Sequence, residues 1–259
     1  MVIFLVVVVI GLCGALLYWL FMSPMSQLFG RYPWHLKTGE KVVALTFDDG
    51  PNEPYTSQIA DFLKEKHIKA TFFEVGDCIE RYPEVTKRLH SDGHVIGNHS
   101  VHHRFSDHLK HPGYKQEIIQ NQQIIHRSIG KWPALFRSPW LWRQPWLLYS
   151  VRAAGLHPVS GRFCHSFEVF QPDGKHIAKR TLAKIKPGAI IIFHDGFDGR
   201  TGNRSQTVKA VKITVNTLLK QGYRFVTIAE LLELPAYQST AAHADPSSHE
   251  SHATAYRKR

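Results

Sequence analysis

The chain has 259 residues, a formal charge of +11 and 17 histidines, which bounds it to one sizeable domain or two small ones with a basic surface. Such a surface favours anionic partners, an acidic envelope polymer or phospholipid headgroups before nucleic acid, since no nucleic-acid-binding motif and no GxGxxG or GxxxxGK[ST] loop occurs. The three cysteines, Cys13, Cys78 and Cys164, form no CxxC and exclude a disulfide framework or a cysteine-based zinc module.

The chain opens on an uncharged run, VIFLVVVVIGLCGALLYWLFM, residues 2–22. As a helix this run is about 31 Å long, enough to cross a hydrocarbon core. No basic n-region precedes it, and SPMSQLFG after it is a poor cleavage site. Residues 1–23 are therefore expected to be an uncleaved, single-pass membrane anchor rather than a signal peptide. Residues 24–39 read as a linker. Arg31, Lys37 and Lys41 are too spread to fix the orientation by charge; the domain that follows is expected on the extracytoplasmic side.

From residue 40 to 234 short apolar runs alternate with amphipathic stretches. Strands are expected at 41–47, 69–75, 94–97, 133–139, 155–161, 188–195 and 223–228, and helices at 54–67, 83–92, 113–128, 145–154, 174–186 and 204–221. Strands that are apolar along their length and separated by helices indicate a parallel sheet covered by helices. Seven of them in so short a span predict an α/β fold, an irregular (β/α)7-type barrel rather than an open doubly wound sheet. Residues 235–259 have little to bury and read as a disordered tail, with His243, His249 and His252 as solvated side chains.

In an α/β barrel the reactive groups collect where strands end and loops begin. Here the first strand ends in Asp48-Asp49, the third in GNHSVHH with His99, His102 and His103, the fourth in Arg137, and the sixth in His194 and Asp195. Two adjacent carboxylates at the end of a buried strand are costly unless a cation sits beside them. His99 and His103, four apart, would share a face of a helical turn. With one aspartate they make a donor set of two imidazoles and one carboxylate, suited to zinc with an open position, and able to accept cobalt or nickel. The second aspartate would then be free to take a proton, an arginine would keep it ionised, and His194 could protonate a leaving amine.

At these residues the chain resembles the polysaccharide deacetylases with a NodB-homology domain, carbohydrate esterase family 4. TFDDGP (46–51), HSVHH (99–103), FRSPW (136–140) and FHDG (193–196) follow the order of that family's motifs. The resemblance implies Asp48 as general base, Asp49, His99 and His103 as metal ligands, Arg137 orienting the base, and His194 as general acid. It further implies that the main chain near Pro139 and Trp140 helps hold the oxyanion. The implied activity is metal-dependent removal of N-acetyl groups from a GlcNAc-containing glycan: peptidoglycan, a chitin-like polymer or a lipid-linked sugar. Deacylation of a non-glycan amide or an O-acetyl ester, and glycan binding without catalysis, are the competing readings.

One element departs from the family. After the fifth strand an Asp-Trp pair usually supplies an apolar wall and a carboxylate partner for the arginine. This chain has VSGRFCHSFEVFQPD (159–173) instead, with Arg162 where an acid is expected. Glu168, Asp173 or Asp195 would have to pair with Arg137, and Phe163, Phe167, Trp140 or Trp142 would have to wall the pocket.

Overall fold

A computed structural model describes residues 1–108 and 113–239. Helix α1 (Val2–Phe21) projects from the domain with no buried residue. The domain then runs β1 (Val42–Asp48), α2 (Tyr55–Glu65), β2 (Thr71–Glu74), α3 (Gly76–Arg81), α4 (Pro83–Ser91), β3 (Val95–Asn98), α5 (Phe105–His108) and α6 (Gly113–Ile129). Its second half is β4 (Leu135–Phe136), α7 (Pro145–Ala153), β5 (His157–Pro158), β6 (Arg162–Phe163), α8 (Gly174–Leu182), β7 (Ala189–His194), α9 (Ser205–Lys220), β8 (Arg224–Val226) and α10 (Ile228–Leu232).

The strands pair in parallel in the order β5-β4-β3-β2-β1-β7-β6, with β8 beside the start of β1. β1 is the hub. One edge meets β7 from Val43 to Asp48; the other meets β8 at Val42–Ala44 and β2 at Thr46–Asp48. All seven of its residues are buried, which explains the absence of polar alternation in the sequence. Successive side chains still point to opposite faces. Val43, Leu45 and Phe47 pack outward against Ile59 and Leu63 of α2 and Val211 and Val215 of α9. Val42 and Ala44 face inward, with Phe73, Leu135, Val159 and Ile190, to fill the barrel. Gly97 lies on that inner face of β3, where a Cβ would come within 2.6 Å of the Phe73 ring.

The expected strand over 155–161 is shortened to His157–Pro158, and an unexpected strand follows it. His157–Pro158 pairs with β4, while Arg162–Phe163 crosses to pair with β7. The curled sheet is thus an irregular barrel with a seam at residues 159–161. The expected linker lies against that seam: Ser160 N–H donates to Pro33 O at 2.7 Å, and His35 bridges Ala189. The start of the expected tail is packed as well. Tyr237 bridges Pro133, its hydroxyl accepts the Ile96 N–H at 3.1 Å, and Gln238 N–H donates to Trp132 O. Residues 240–259, with His243, His249 and His252, lie outside the described residues.

Candidate active site

The inward parity of each strand carries on past its end and selects the side chains at the mouth. Val42, Ala44 and Thr46 lead to Asp48; Val95 and Gly97 to His99; Leu135 to Arg137; Ile190 and Ile192 to His194. In register, Asp48 stands beside His194 across the β1–β7 pair. Four strands therefore deliver one carboxylate, two imidazoles and one guanidinium to the same mouth.

Asp49 is turned toward His99 and His103 by a left-handed backbone, φ 75°, a conformation that aspartate tolerates better than most residues. Its Oδ1 lies 3.3 Å from His99 Nε2 and 3.1 Å from His103 Nε2. The three donor atoms fall within 4.8 Å of one another, and all three residues are buried. The histidines do not share a helical turn as their spacing predicts. They sit in a loop in which Ser100 (φ 69°) and His103 (φ 51°) are left-handed, and this backbone folds the second imidazole back onto the first. His99 Nδ1 lies 2.7 Å from Arg137 O, where it donates, so its Nε2 presents a lone pair. Burial alone would raise the Asp49 carboxyl; the neighbouring imidazoles of His103 and His99 hold it well below the usual range instead. Burial likewise opposes charge on His103, and Asp49 more than reverses this, so that imidazole is raised.

Asp48 faces a different cation. Arg137 Nη1 donates to Asp48 Oδ1 at 2.7 Å and to Thr46 Oγ1 at 2.7 Å, and its Nη2 donates to Ser160 O at 3.0 Å. The guanidinium also lies 4.2 Å over the Phe73 ring, and the side chain is fully buried. Arginine keeps its proton even where burial pulls against it, so this carboxylate has a permanent counter-charge.

His194 is held by an acid that the motifs do not include. Its Nδ1 lies 2.7 Å from Glu168 Oε2. Glu168 is fully buried in a short 3-10 turn (Glu168–Phe170), and its other oxygen accepts from Thr207 Oγ1 at the start of α9. Burial would lower the imidazole; the Glu168 carboxylate outweighs it and lifts His194 to about 9. The pair therefore favours the protonated imidazole, with Phe163 stacked 6.0 Å away.

These contacts correct the partner expected for the arginine: none of the three candidate acids pairs with Arg137. Glu168 serves His194. Asp173 caps α8, accepting from Lys175 N–H at 2.8 Å. Asp195 is buried, accepts from Thr56 Oγ1 at 2.6 Å, and is raised to about 7 by that burial. Arg162 turns away from the site and donates to Lys184 O at 3.2 Å. Of the aromatic candidates, Phe163 flanks His194 and the Trp140 ring lies 4.4 Å from His103, whereas Phe167 is exposed and Trp142 packs on Phe21. Pro139 has no N–H, and the amides of Leu141 and Trp142 donate to Ser138 O and Pro139 O. That leaves the Trp140 amide, on a backbone with φ 52°, as this loop's candidate oxyanion donor. The sequence reading missed Thr46, Ser160 and the role of Glu168. Only Glu168 had a signal, as an acid within the segment that departs from the family.

Residues 35–159 match the polysaccharide deacetylase family. A peptidoglycan-N-acetylglucosamine deacetylase of Bacillus cereus is 34% identical over 205 residues, spanning 78% of this chain and 93% of the relative. A chitooligosaccharide deacetylase of Bradyrhizobium sp. is 30% identical over 75% of this chain and 92% of its own. The crystal structure of the peptidoglycan N-acetylglucosamine deacetylase Bc1960 superposes with a TM-score of 0.73 at 27% identity, covering 80% of this chain and 95% of that one. The relatives share the barrel and hydrolyse the same class of carbon–nitrogen bond, and with them this chain belongs to the polysaccharide deacetylase family, as a NodB-type domain.

Proposed function

We propose that the chain is a membrane-held, metal-dependent deacetylase that hydrolyses the acetamide of N-acetylglucosamine units in a cell-wall glycan, releasing acetate and a free amine. The observation that carries this reading is the meeting at one mouth of the buried Asp49–His99–His103 set with two separate ion pairs, Asp48–Arg137 and His194–Glu168.

The donor set fits a divalent ion. It offers two imidazoles and one ionised carboxylate, and His99 has its tautomer fixed by the Arg137 carbonyl. Zinc is the ion such a set suits first, with cobalt and nickel as substitutes. Bound there, it supplies Lewis acidity to the amide carbonyl and to the attacking water. Asp48 takes the proton of that water, held in place by Arg137. The Trp140 amide donates to the developing oxyanion. His194 gives a proton to the departing nitrogen, with Glu168 fixing the ring and favouring the charged form. Phe163, stacked on His194, and Trp140, against His103, wall the pocket.

Helix α1, 20 residues with none buried, is long and apolar enough to span a bilayer as a single anchor. Wall glycan is the substrate class of the peptidoglycan deacetylase relatives, which supports an extracytoplasmic domain. The test is acetate release by the full chain in detergent from N-acetylglucosamine oligomers and wall fragments. Release that chelation abolishes and zinc restores is the expected result; release that survives exhaustive chelation overturns the metal-dependent reading.

A further inference from the structure

Arg143 follows the oxyanion loop and is 1% exposed, yet its charge is met by backbone carbonyls. Its Nη1 donates to Ser23 O at 2.5 Å and to Leu141 O at 3.0 Å; its Nη2 donates to Pro24 O at 3.1 Å and to Ser160 Oγ at 2.9 Å. Its main-chain N–H donates to Phe21 O at 2.8 Å, and its guanidinium lies 4.9 Å over the Tyr32 ring. The last carbonyls of a helix lack intrahelical partners and carry the negative end of its dipole. Here one residue from the other end of the fold satisfies several carbonyls at the close of α1. Phe21 completes the contact by stacking on Trp142 with ring centroids 5.4 Å apart.

The contact continues into the active site through Ser160. Its hydroxyl donates to Pro24 O at 2.9 Å, its N–H donates to Pro33 O at 2.7 Å, and its carbonyl accepts from Arg137 Nη2 at 3.0 Å. Arg137 in turn holds Asp48. A continuous series of hydrogen bonds therefore runs from the end of α1, through Arg143 and Ser160, to the carboxylate that serves as base. A second route is aromatic: Phe21 to Trp142, Trp142 to Phe105 at 5.1 Å, Phe105 to Trp140 at 5.5 Å, and Trp140 to His103 at 4.4 Å.

We propose that Arg143 is a positioning residue that builds the segment following the membrane helix, Ser23–Tyr32, into the active-site wall. It sets the barrel seam at Ser160 that aims Arg137, and the loop that carries Trp140. The inference rests on the catalytic reading of this site. The segment is thus a fixed strut, not a tether, and the mouth is held close to the end of α1, within reach of glycan at the bilayer surface.

The test uses the full chain in detergent, zinc-loaded, with an N-acetylglucosamine oligomer as substrate, comparing Arg143→Gln, Arg143→Lys and Ser160→Ala. Arg143→Gln should lower kcat about tenfold or more with KM within about twofold and zinc content intact, because misplacing a catalytic group by a fraction of an ångström acts on the transition state. Ser160→Ala should lower kcat by less, and Arg143→Lys should recover part of it. Amide hydrogen exchange is the second readout. In Arg143→Gln, protection should fall together at residues 139–143 and 159–161, on the far side of the clasp from α1. An unchanged kcat in Arg143→Gln, or a kcat that falls only in step with lost zinc or lost folded protein, overturns the proposal. Should the wild-type chain release no acetate, the catalytic reading has failed, and exchange decides alone: a loss confined to residues 21–32 overturns the strut.

Discussion

The mouth of the barrel holds two carboxylate–cation pairs that look alike and behave differently. Asp48–Arg137 and Glu168–His194 both close at 2.7 Å, and both acids are buried. In the first the cation is permanent, so the acid always faces a positive charge. In the second the cation can lose its proton, so the pair fixes how readily that happens. Proximity of opposite charges thus yields a carboxylate with a fixed counter-charge in one place and an imidazole biased toward its protonated form in the other. The difference lies wholly in which cation was placed there.

Breaking the first pair should cost most. Asp48→Asn removes the proposed proton acceptor and leaves the buried Arg137 guanidinium without its counter-charge. Activity should fall by about 10²–10⁴, and stability by roughly 3–5 kcal/mol, the usual result of orphaning a buried charge that cannot neutralise itself. Thermal unfolding alongside acetate release separates the two effects. A variant as stable as the parent would show that Arg137 finds another anion, and the asymmetry between the pairs would fail.

Glu168→Gln breaks the second pair and should cost less stability, because His194 can shed its proton. The signature is in titration. In the metal-free parent His194 should titrate near about 9; in Glu168→Gln its midpoint should drop toward the ordinary histidine value, about 6.5. The sign for stability follows from a folded value raised above the unfolded one. The contribution is fully present below about 6.5 and is lost as pH rises through about 9 in the parent. A divalent ion at Asp49 repels the imidazolium and should lower the midpoint. NMR of the imidazole follows all three. A midpoint in the variant as high as in the parent would mean that Asp48 and Asp49, rather than Glu168, hold the proton.

The two pairs also differ in how far the sequence reveals them. Asp48, Arg137 and His194 were legible because each ends or follows an apolar strand whose two-residue period aims it inward, and because their order matched one family. The donor set was legible as chemistry but not as geometry: the spacing of His99 and His103 suggested a helical turn, and left-handed residues at Ser100 and His103 made a loop. Glu168 could be named only as one of three acids, since its place depends on a 3-10 turn and a hydroxyl from Thr207 on a different helix. The contacts of residues 24–39 were hidden for a deeper reason. Arg143 meets backbone carbonyls of Ser23 and Pro24, about 120 positions earlier, and a carbonyl bears no residue type for a sequence pattern to show.

Arg162 sharpens the comparison from the opposite direction. In sequence it is the conspicuous cation, set where the family carries an acid. Two residues before it Ser160 meets the buried Arg137 and Arg143, yet Arg162 itself turns outward and donates to Lys184 O at 3.2 Å, and it lies in no ion pair with Asp48, Glu168 or Asp195 among the described residues. A partly exposed cation held by one backbone carbonyl contributes little to stability or to the field at the mouth. Arg162→Ala should therefore leave kcat, KM and the His194 midpoint within about twofold or a few tenths of a pH unit of the parent, and shift stability by at most about 0.5 kcal/mol. A large change in the His194 midpoint would place Arg162 within the electrostatic reach of the acid pair, and the departure from the family would then have altered the chemistry as well as the wall.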